Sequence, residues 1–123
     1  MFPRLIMDVA DIERSLAFYA GLLRMPVRQE EAWEGHRIAY LATGPTEILL
    51  VEQPKADQPQ ERAGGQVINL RVRELHALSC RLAQHRVHVL QPFDDALFGE
   101  RTLLVADPDG YPVLLSEPAE TLN

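Results

Sequence analysis

Residues 4–11 read RLIMDVAD, and residues 67–74 read VINLRVRE. Laid on one another, Leu5, Met7, Val9 and Asp11 fall on Ile68, Leu70, Val72 and Glu74. In both stretches apolar residues alternate with others, the mark of a strand with two unlike faces. Further along, residues 47–54 (EILLVEQP) lie on residues 111–118 (YPVLLSEP). Agreement at both ends of the unit indicates an internal repeat, and the repeat decides the fold.

Between those ends the two halves match in kind. Asp11 is expected to cap a helix, with Glu13 in its first turn. Ile12, Leu16, Tyr19, Ala20 and Leu23 follow at helical spacing. Gly21 is expected to serve the left-handed cap, and Pro26 forbids continuation. Strand-like runs cover residues 27–32, 36–42 and 46–52, with Gly44-Pro45 turning between the last two. Residues 53–65, QPKADQPQERAGG, lack an apolar period and read as a linker. Leu75, Leu78 and Leu82 then resume helical spacing, and strand-like runs lie at 87–90, 100–106 and 111–116. Each half is strand, helix and three strands. Half a chain has too little core to stand alone, so the two are expected to pack as a pair. The expectation is one α+β domain over residues 1–123: a βαβββ module at about 1–54, the linker, and a second module at about 66–118.

Composition narrows the function classes. The chain has 123 residues, 46% of them hydrophobic, and a formal net charge of −6, which suits one core and disfavours nucleic acid or anionic membranes as partners. Its single cysteine, Cys80, is unable to form an internal disulfide or a cysteine-rich zinc site, and its place between Leu78 and Leu82 suggests a buried thiol. No apolar run approaches the ~20 residues of a membrane span. Met1 to Asp8 reaches an acid too early for a signal peptide. A cytoplasmic protein is expected.

Asp107-Pro108-Asp109-Gly110 is the strongest local signal. Proline presets φ, aspartate closes an Asx-type hydrogen bond, and glycine takes the left-handed position. Flanked by Leu103-Leu104-Val105 and Val113-Leu114-Leu115, it is expected to join two antiparallel strands as a hairpin device.

Val9-Ala10-Asp11 with Ser15, Phe18-Tyr19 and Leu22-Leu23, and Phe98-Gly99-Glu100-Arg101-Thr102 running into Asp107-Pro108-Asp109-Gly110-Tyr111, resemble the first βα unit and the closing hairpin of the vicinal oxygen chelate superfamily. That superfamily comprises glyoxalase I, bleomycin-resistance proteins and extradiol dioxygenases. The resemblance implies paired βαβββ modules forming a curled, barrel-like mixed sheet with helices on its outer face, commonly in homodimers with modules shared between chains. Metal-dependent members use His, Gln or Glu at one position of each module's first strand and Glu or a similar ligand in each last strand. Carried over by motif, the first-strand positions are Arg4 and Val67, and the last-strand positions Leu114 and its repeat partner Leu50. Arginine has no lone pair to lend a metal, and Val and Leu have no donor at all. A one-residue slip offers only Gln66. Neither a metal nor another cofactor is expected, and glyoxalase, dioxygenase and metal-dependent fosfomycin-opening activities are disfavoured.

Other chemistry has little support. His85 and His88 fall at a helix-to-strand junction, and His36 and His76 have no ligand-type neighbours. No nucleophile elbow occurs, and Gly64-Gly65, Glu30-Glu31 and Asp94-Asp95 read as linker and solvated charge. Strand parity is more informative. Leu5, Met7, Val9, Leu49, Val51, Ile68, Leu70, Val72, Leu103, Val105, Val113 and Leu115 are expected to face the helices. The opposite face, which lines the cavity in the resembled family, would carry Arg4, Ile6, Asp8, Ile48, Leu50, Glu52, Val67, Asn69, Arg71, Thr102, Leu104, Pro112, Leu114 and Ser116, joined by Ile38 and Tyr40. Trp33, Phe93 and Phe98 are expected at a groove mouth or a dimer contact.

The candidate ligand-binding residues are therefore Arg4, Asp8, Trp33, Tyr40, Leu50, Glu52, Val67, Asn69, Arg71, Phe98, Thr102, Leu104 and Leu114. An apolar floor with a few placed polar groups suits a small organic ligand, although the cavity charges would equally pair among themselves. The leading expectation is metal-independent binding or sequestration of a partly apolar small molecule by a homodimer. The alternatives are a metal-independent lyase or isomerase, with Asp8 or Glu52 as base and Arg4 or Arg71 as oxyanion partner, and a regulatory or structural partner module. An Asp8–Arg71 ion pair across the modules would leave Arg4 free to grip an acidic group.

Overall fold

The alternation of residues 4–9 becomes β1 (Arg4–Val9) in the computed structural model, which describes residues 4–44, 46–53, 67–94 and 100–118. Residues 54–65 of the linker, Gln66, Phe98 and Gly99 lie outside the described residues. A short α1 (Ile12–Leu16) continues into a π-helical stretch, Ala17–Leu22, and three strands follow: β2 (Val27–Trp33), β3 (His36–Thr43) and β4 (Thr46–Glu52). The second half repeats this as β5 (Ile68–Arg71), α2 (Leu75–Gln84), β6 (Val89–Asp94), β7 (Glu100–Ala106) and β8 (Pro112–Pro118). The sheet orders correspond: β1-β4-β3-β2 and β5-β8-β7-β6, with only the first pair of each parallel. The helix between β1 and the rest provides the crossover that parallel pairing requires.

Register corrects the expectation for β4. Parallel Cα partners share a sheet face, and Met7 is paired with Leu50 and Leu5 with Ile48. Met7, Leu50 and Ile48 are all buried under the helix. Ile48 and Leu50 therefore belong to the covered face, and Leu49 and Val51 to the other, the reverse of the sequence expectation. Its cause is the run Ile48-Leu49-Leu50-Val51, which has no alternation to read. In the second sheet, where Ile68 pairs with Val113 and Leu70 with Leu115, the expected faces hold. The repeat of the last strand thus lays Leu49 on Leu114 and Glu52 on Glu117.

That corrected repeat has a structural signature. The Glu52 carboxylate accepts from Ile12 N at 2.9 Å, while Glu117 accepts from Glu74 N at 2.7 Å and Leu75 N at 3.2 Å. In each module a glutamate near the end of the last strand satisfies N–H groups that the helix start leaves without partners. Asp11 adds the expected cap, accepting from Glu13 N at 3.0 Å and Arg14 N at 3.4 Å. Both helical segments end at a left-handed arginine, Arg24 (φ 61°) and Arg86 (φ 58°), and not at Gly21. The N–H of Met25 reaches Tyr19 O, and that of Val87 reaches Leu82 O, closing the two ends. Cys80 is exposed, since Leu75, Leu78 and Leu82 take the buried stripe of α2.

The covered faces of both sheets feed one core, which includes Met7, Val9, Leu41, Leu50, Ile68, Leu82, Val105 and Leu115. Phe18 and Tyr19, adjacent in the π-helical stretch, are both buried, with ring centroids 4.8 Å apart and planes at 85°.

The hairpin turn between β7 and β8 is also a clamp. Within the turn, Asp107 Oδ1 accepts from Asp109 N at 2.9 Å and Tyr111 N at 2.8 Å, and Gly110 sits at φ 90°. Its other groups reach into the first module. Tyr19 Oη donates to Asp107 Oδ2 at 2.6 Å, Ala10 N and Ser15 Oγ donate to Asp109 at 3.0 and 3.4 Å, and Tyr111 Oη donates to Asp8 O at 2.9 Å. Burial raises the Asp107 carboxyl above its ordinary range, and the hydrogen bonds from Tyr19, Tyr111 and Asp109 oppose that rise. Tyr19 is pushed well above the usual phenol value, first by burial and then by the Asp107 charge.

Candidate ligand-binding site

Each sheet presents its second face away from the shared core. On the first sheet, register gathers Arg4, Ile6 and Asp8 of β1 with Glu47, Leu49 and Val51 of β4. Ile38 and Tyr40 of β3 join them, then Gln29 and Glu31 of β2. On the second sheet, Asn69 and Arg71 of β5 lie beside Leu114 and Ser116 of β8, then Leu104 and Thr102 of β7. Among the described residues the two sheets share no strand pairing, so one chain carries two open half-troughs. Some of the apolar residues on or beside them are bare, Ile6 being 61% exposed, Trp33 62% and Val67 53%, whereas Leu49 is buried and Ile38, Val51, Leu104 and Leu114 are half-buried.

The sequence candidates divide accordingly. Arg4, Asp8, Tyr40 and the terminal Trp33 are brought together on the first open face, and Asn69, Arg71, Thr102, Leu104 and Leu114 on the second, with Val67 exposed just before β5. Leu50 does not join them; it is in the core. Glu52 turns to the helix side and holds Ile12 N, while its backbone carbonyl lies 3.0 Å from His36 Nδ1. Glu47, Leu49 and Val51 take the places assigned to Leu50 and Glu52. The signal that finds them is the alternative alignment of ILLVE (48–52) on VLLSE (113–117), which matches two leucines and the glutamate.

Electrostatics change with that correction. Arg4 Nη2 lies 2.8 Å from Glu47 Oε1, and Arg4 Nε also donates to it at 3.0 Å. These two residues are Cα partners on adjacent strands. Arg71 pairs with Glu100 at 3.0 Å, and Asp8 accepts from Gln53 Nε2 at 3.2 Å. The expected Asp8–Arg71 pair does not form, and Arg4 is not a free cation. Both arginines are exposed, Arg4 against a half-buried Glu47 and Arg71 against a more open Glu100, so each pair adds little to stability; they order the guanidiniums and offset their charge. Glu31 raises the Tyr40 phenol and keeps it a donor.

With the register corrected, the four metal-matched positions are Arg4, Leu49, Val67 and Leu114. Three are hydrocarbon and the fourth is a cation, so these positions do not fit a divalent metal. Among the described residues, no group of three or more His, Cys, Asp or Glu side chains is placed to hold one.

The family model described as the Glyoxalase/Bleomycin resistance protein/Dioxygenase superfamily matches residues 2–115. Among solved structures, a glyoxalase family protein from Bacillus cereus superposes with a TM-score of 0.81 at 15% identity, covering 96% of this chain and 93% of that one. The trypanothione-dependent glyoxalase I of Leishmania major gives 0.79 at 23%, covering 95% and 86%. TnmS3, an antibiotic binding protein from a Streptomyces species, gives 0.75 at 23%, covering 97% and 96%. At these identities the likeness concerns the fold. A search of the curated proteins found no sequence match.

Proposed function

The chain belongs to the Glyoxalase/Bleomycin resistance protein/Dioxygenase superfamily, and from that premise we propose that it binds a small, partly apolar organic molecule without a metal and without changing it. The observation that carries the reading is the substitution of Arg4, Leu49, Val67 and Leu114 at the positions where metal-dependent relatives place ligands. The open faces offer an apolar floor in Ile6, Leu49, Val51, Leu104 and Leu114, with polar groups from Asp8, Tyr40, Asn69 and Thr102 at intervals. Few, spaced polar groups over hydrocarbon orient a ligand and leave most of its binding to desolvation. TnmS3, an antibiotic binding protein of the same fold, supports small-molecule binding as the use of this fold here. Arg4 being engaged by Glu47, an acidic ligand is not required. The reading includes a homodimer, in which half-troughs of two copies close around the ligand, and a cytoplasmic setting.

The test is native mass spectrometry and calorimetry of the purified protein against a panel of apolar natural products, followed by recovery and weighing of the ligand's mass. A ligand recovered unchanged, with affinity lost in Leu114→Glu, is the expected result. A ligand recovered altered would replace sequestration by side-chain catalysis. A stoichiometric metal found by elemental analysis would overturn the metal-free reading.

A further inference from the structure

A cavity of different character borders the second open face, from which it takes only Arg71. It is a cleft of about 450 Å³ between the modules. Its walls come from Leu23–Pro26 after the first helical segment, the β3–β4 turn, β5 with the residues that follow it, and α2. Four of the chain's 12 basic residues line it: Arg24, Arg71, Arg73 and Arg81, against one carboxylate, Glu74. In a chain of net charge −6 this is a local inversion of sign.

The arginines are held in different ways. Arg81 donates through Nε and Nη2 to the Leu22 carbonyl at 3.1 and 3.0 Å. That contact orients the guanidinium without neutralising it, because the acceptor carries no net charge, and it leaves further N–H groups available. Arg71 has Glu100. Among the described residues, no hydrogen bond or ion pair engages Arg24 or Arg73. Like charges gathered in one concavity repel, and an anion between them relieves that repulsion through charge-assisted bonds. Leu23, Met25, Leu70 and Leu78 also line the cleft and give it an apolar share.

We propose that this inter-module cleft binds a small organic anion, one with a phosphate or carboxylate group on an apolar body. The volume suits a single small molecule, and arginine's planar fork suits either oxyanion. The site meets the second open face at Arg71, which belongs to both, but its other lining residues are not on that face, and it does not depend on the function proposed for the faces.

The experiment is calorimetric titration of the full chain with phenyl phosphate, benzoate and the neutral benzyl alcohol. At least one anion is expected to bind, more weakly as salt is added, with benzyl alcohol about tenfold weaker or more, the scale of one charged hydrogen bond. The stronger anion identifies the preferred headgroup. The double variant Arg24→Gln/Arg73→Gln should lose affinity by a similar factor, while Tyr40→Ala on the open face should not. If the double variant does not fold, Arg73→Gln alone takes its place. Failure of both anions to bind, equal binding of the alcohol, unchanged affinity in a folded cleft variant, or loss of affinity in Tyr40→Ala would each overturn the proposal.

Discussion

Tyr19 and Asp107 join the modules through one buried hydrogen bond of 2.6 Å. Removing its donor leaves a buried carboxylate oxygen short of a partner, so Tyr19→Phe is expected to cost about 1.5–3 kcal/mol in urea unfolding at neutral pH. The phenol also predicts a pH dependence. Its folded-state pKa is raised by burial and by Asp107, so the folded protein holds that proton more tightly than the unfolded chain does. The resulting stability is fully present below the unfolded value of about 10 and is lost as pH rises above it. Unfolding free energies measured across the alkaline range should fall in the parent and flatten in Tyr19→Phe. Asp107 behaves in the same sense at lower pH. Its raised pKa means that its own titration favours folding below the ordinary 3.8 and withdraws that contribution as pH rises, so Asp107 is not a source of acid unfolding. The turn chemistry of Asp107-Pro108-Asp109-Gly110 was legible in sequence. Its second role, as acceptor for Tyr19, Ala10 and Ser15, was not, because nothing local to the turn names partners some ninety residues away.

At the scale of elements, the two modules place a glutamate from the last strand at the start of the helix. Glu117 holds two N–H groups and Glu52 one. Glu117→Ala is expected to cost about 1 kcal/mol and Glu52→Ala somewhat less, as for lost helix caps. Because the residues serve separate helices, the double variant should show additive losses in denaturant melts. Arg86, left-handed and exposed after α2, offers the opposite sign: Arg86→Gly should stabilise by about 0.5–1 kcal/mol, the steric relief exceeding glycine's entropic cost. Residue preference alone points to Gly21 near the first helix end. The chain uses arginine in both modules instead, a choice that residue preferences do not reveal and the matching backbone contacts of Met25 and Val87 do.

At the scale of the whole molecule, one core serves both modules, and two faces remain uncovered. Ile6, Trp33 and Val67 on or beside them are more than half exposed, which is a substantial apolar surface for an isolated chain. If two copies cover these faces, light scattering at micromolar concentration should give a dimer, and Ile6→Lys should give a folded monomer with unchanged circular dichroism. A parent that remains monomeric would remove the proposed assembly and leave the half-troughs open.

The repeat, the βαβββ order, the helix start at Asp11, the final hairpin and the faces of β1, β5 and β8 were determined by sequence alone, because alternation, capping and turn chemistry are local properties. The open faces were half legible for the same reason: β1 and the second sheet alternate, whereas Ile48-Leu49-Leu50-Val51 is apolar throughout and either face would accept it. Only pairing with β1, Met7 against Leu50 and Ile6 against Leu49, chose between them. That choice moved Glu52 to a helix end, set Glu47 against Arg4, and cancelled the free arginine. The arginine cleft arose likewise only on folding, since Arg24 and Arg73 sit in different modules and are brought to one cavity by the way the modules pack.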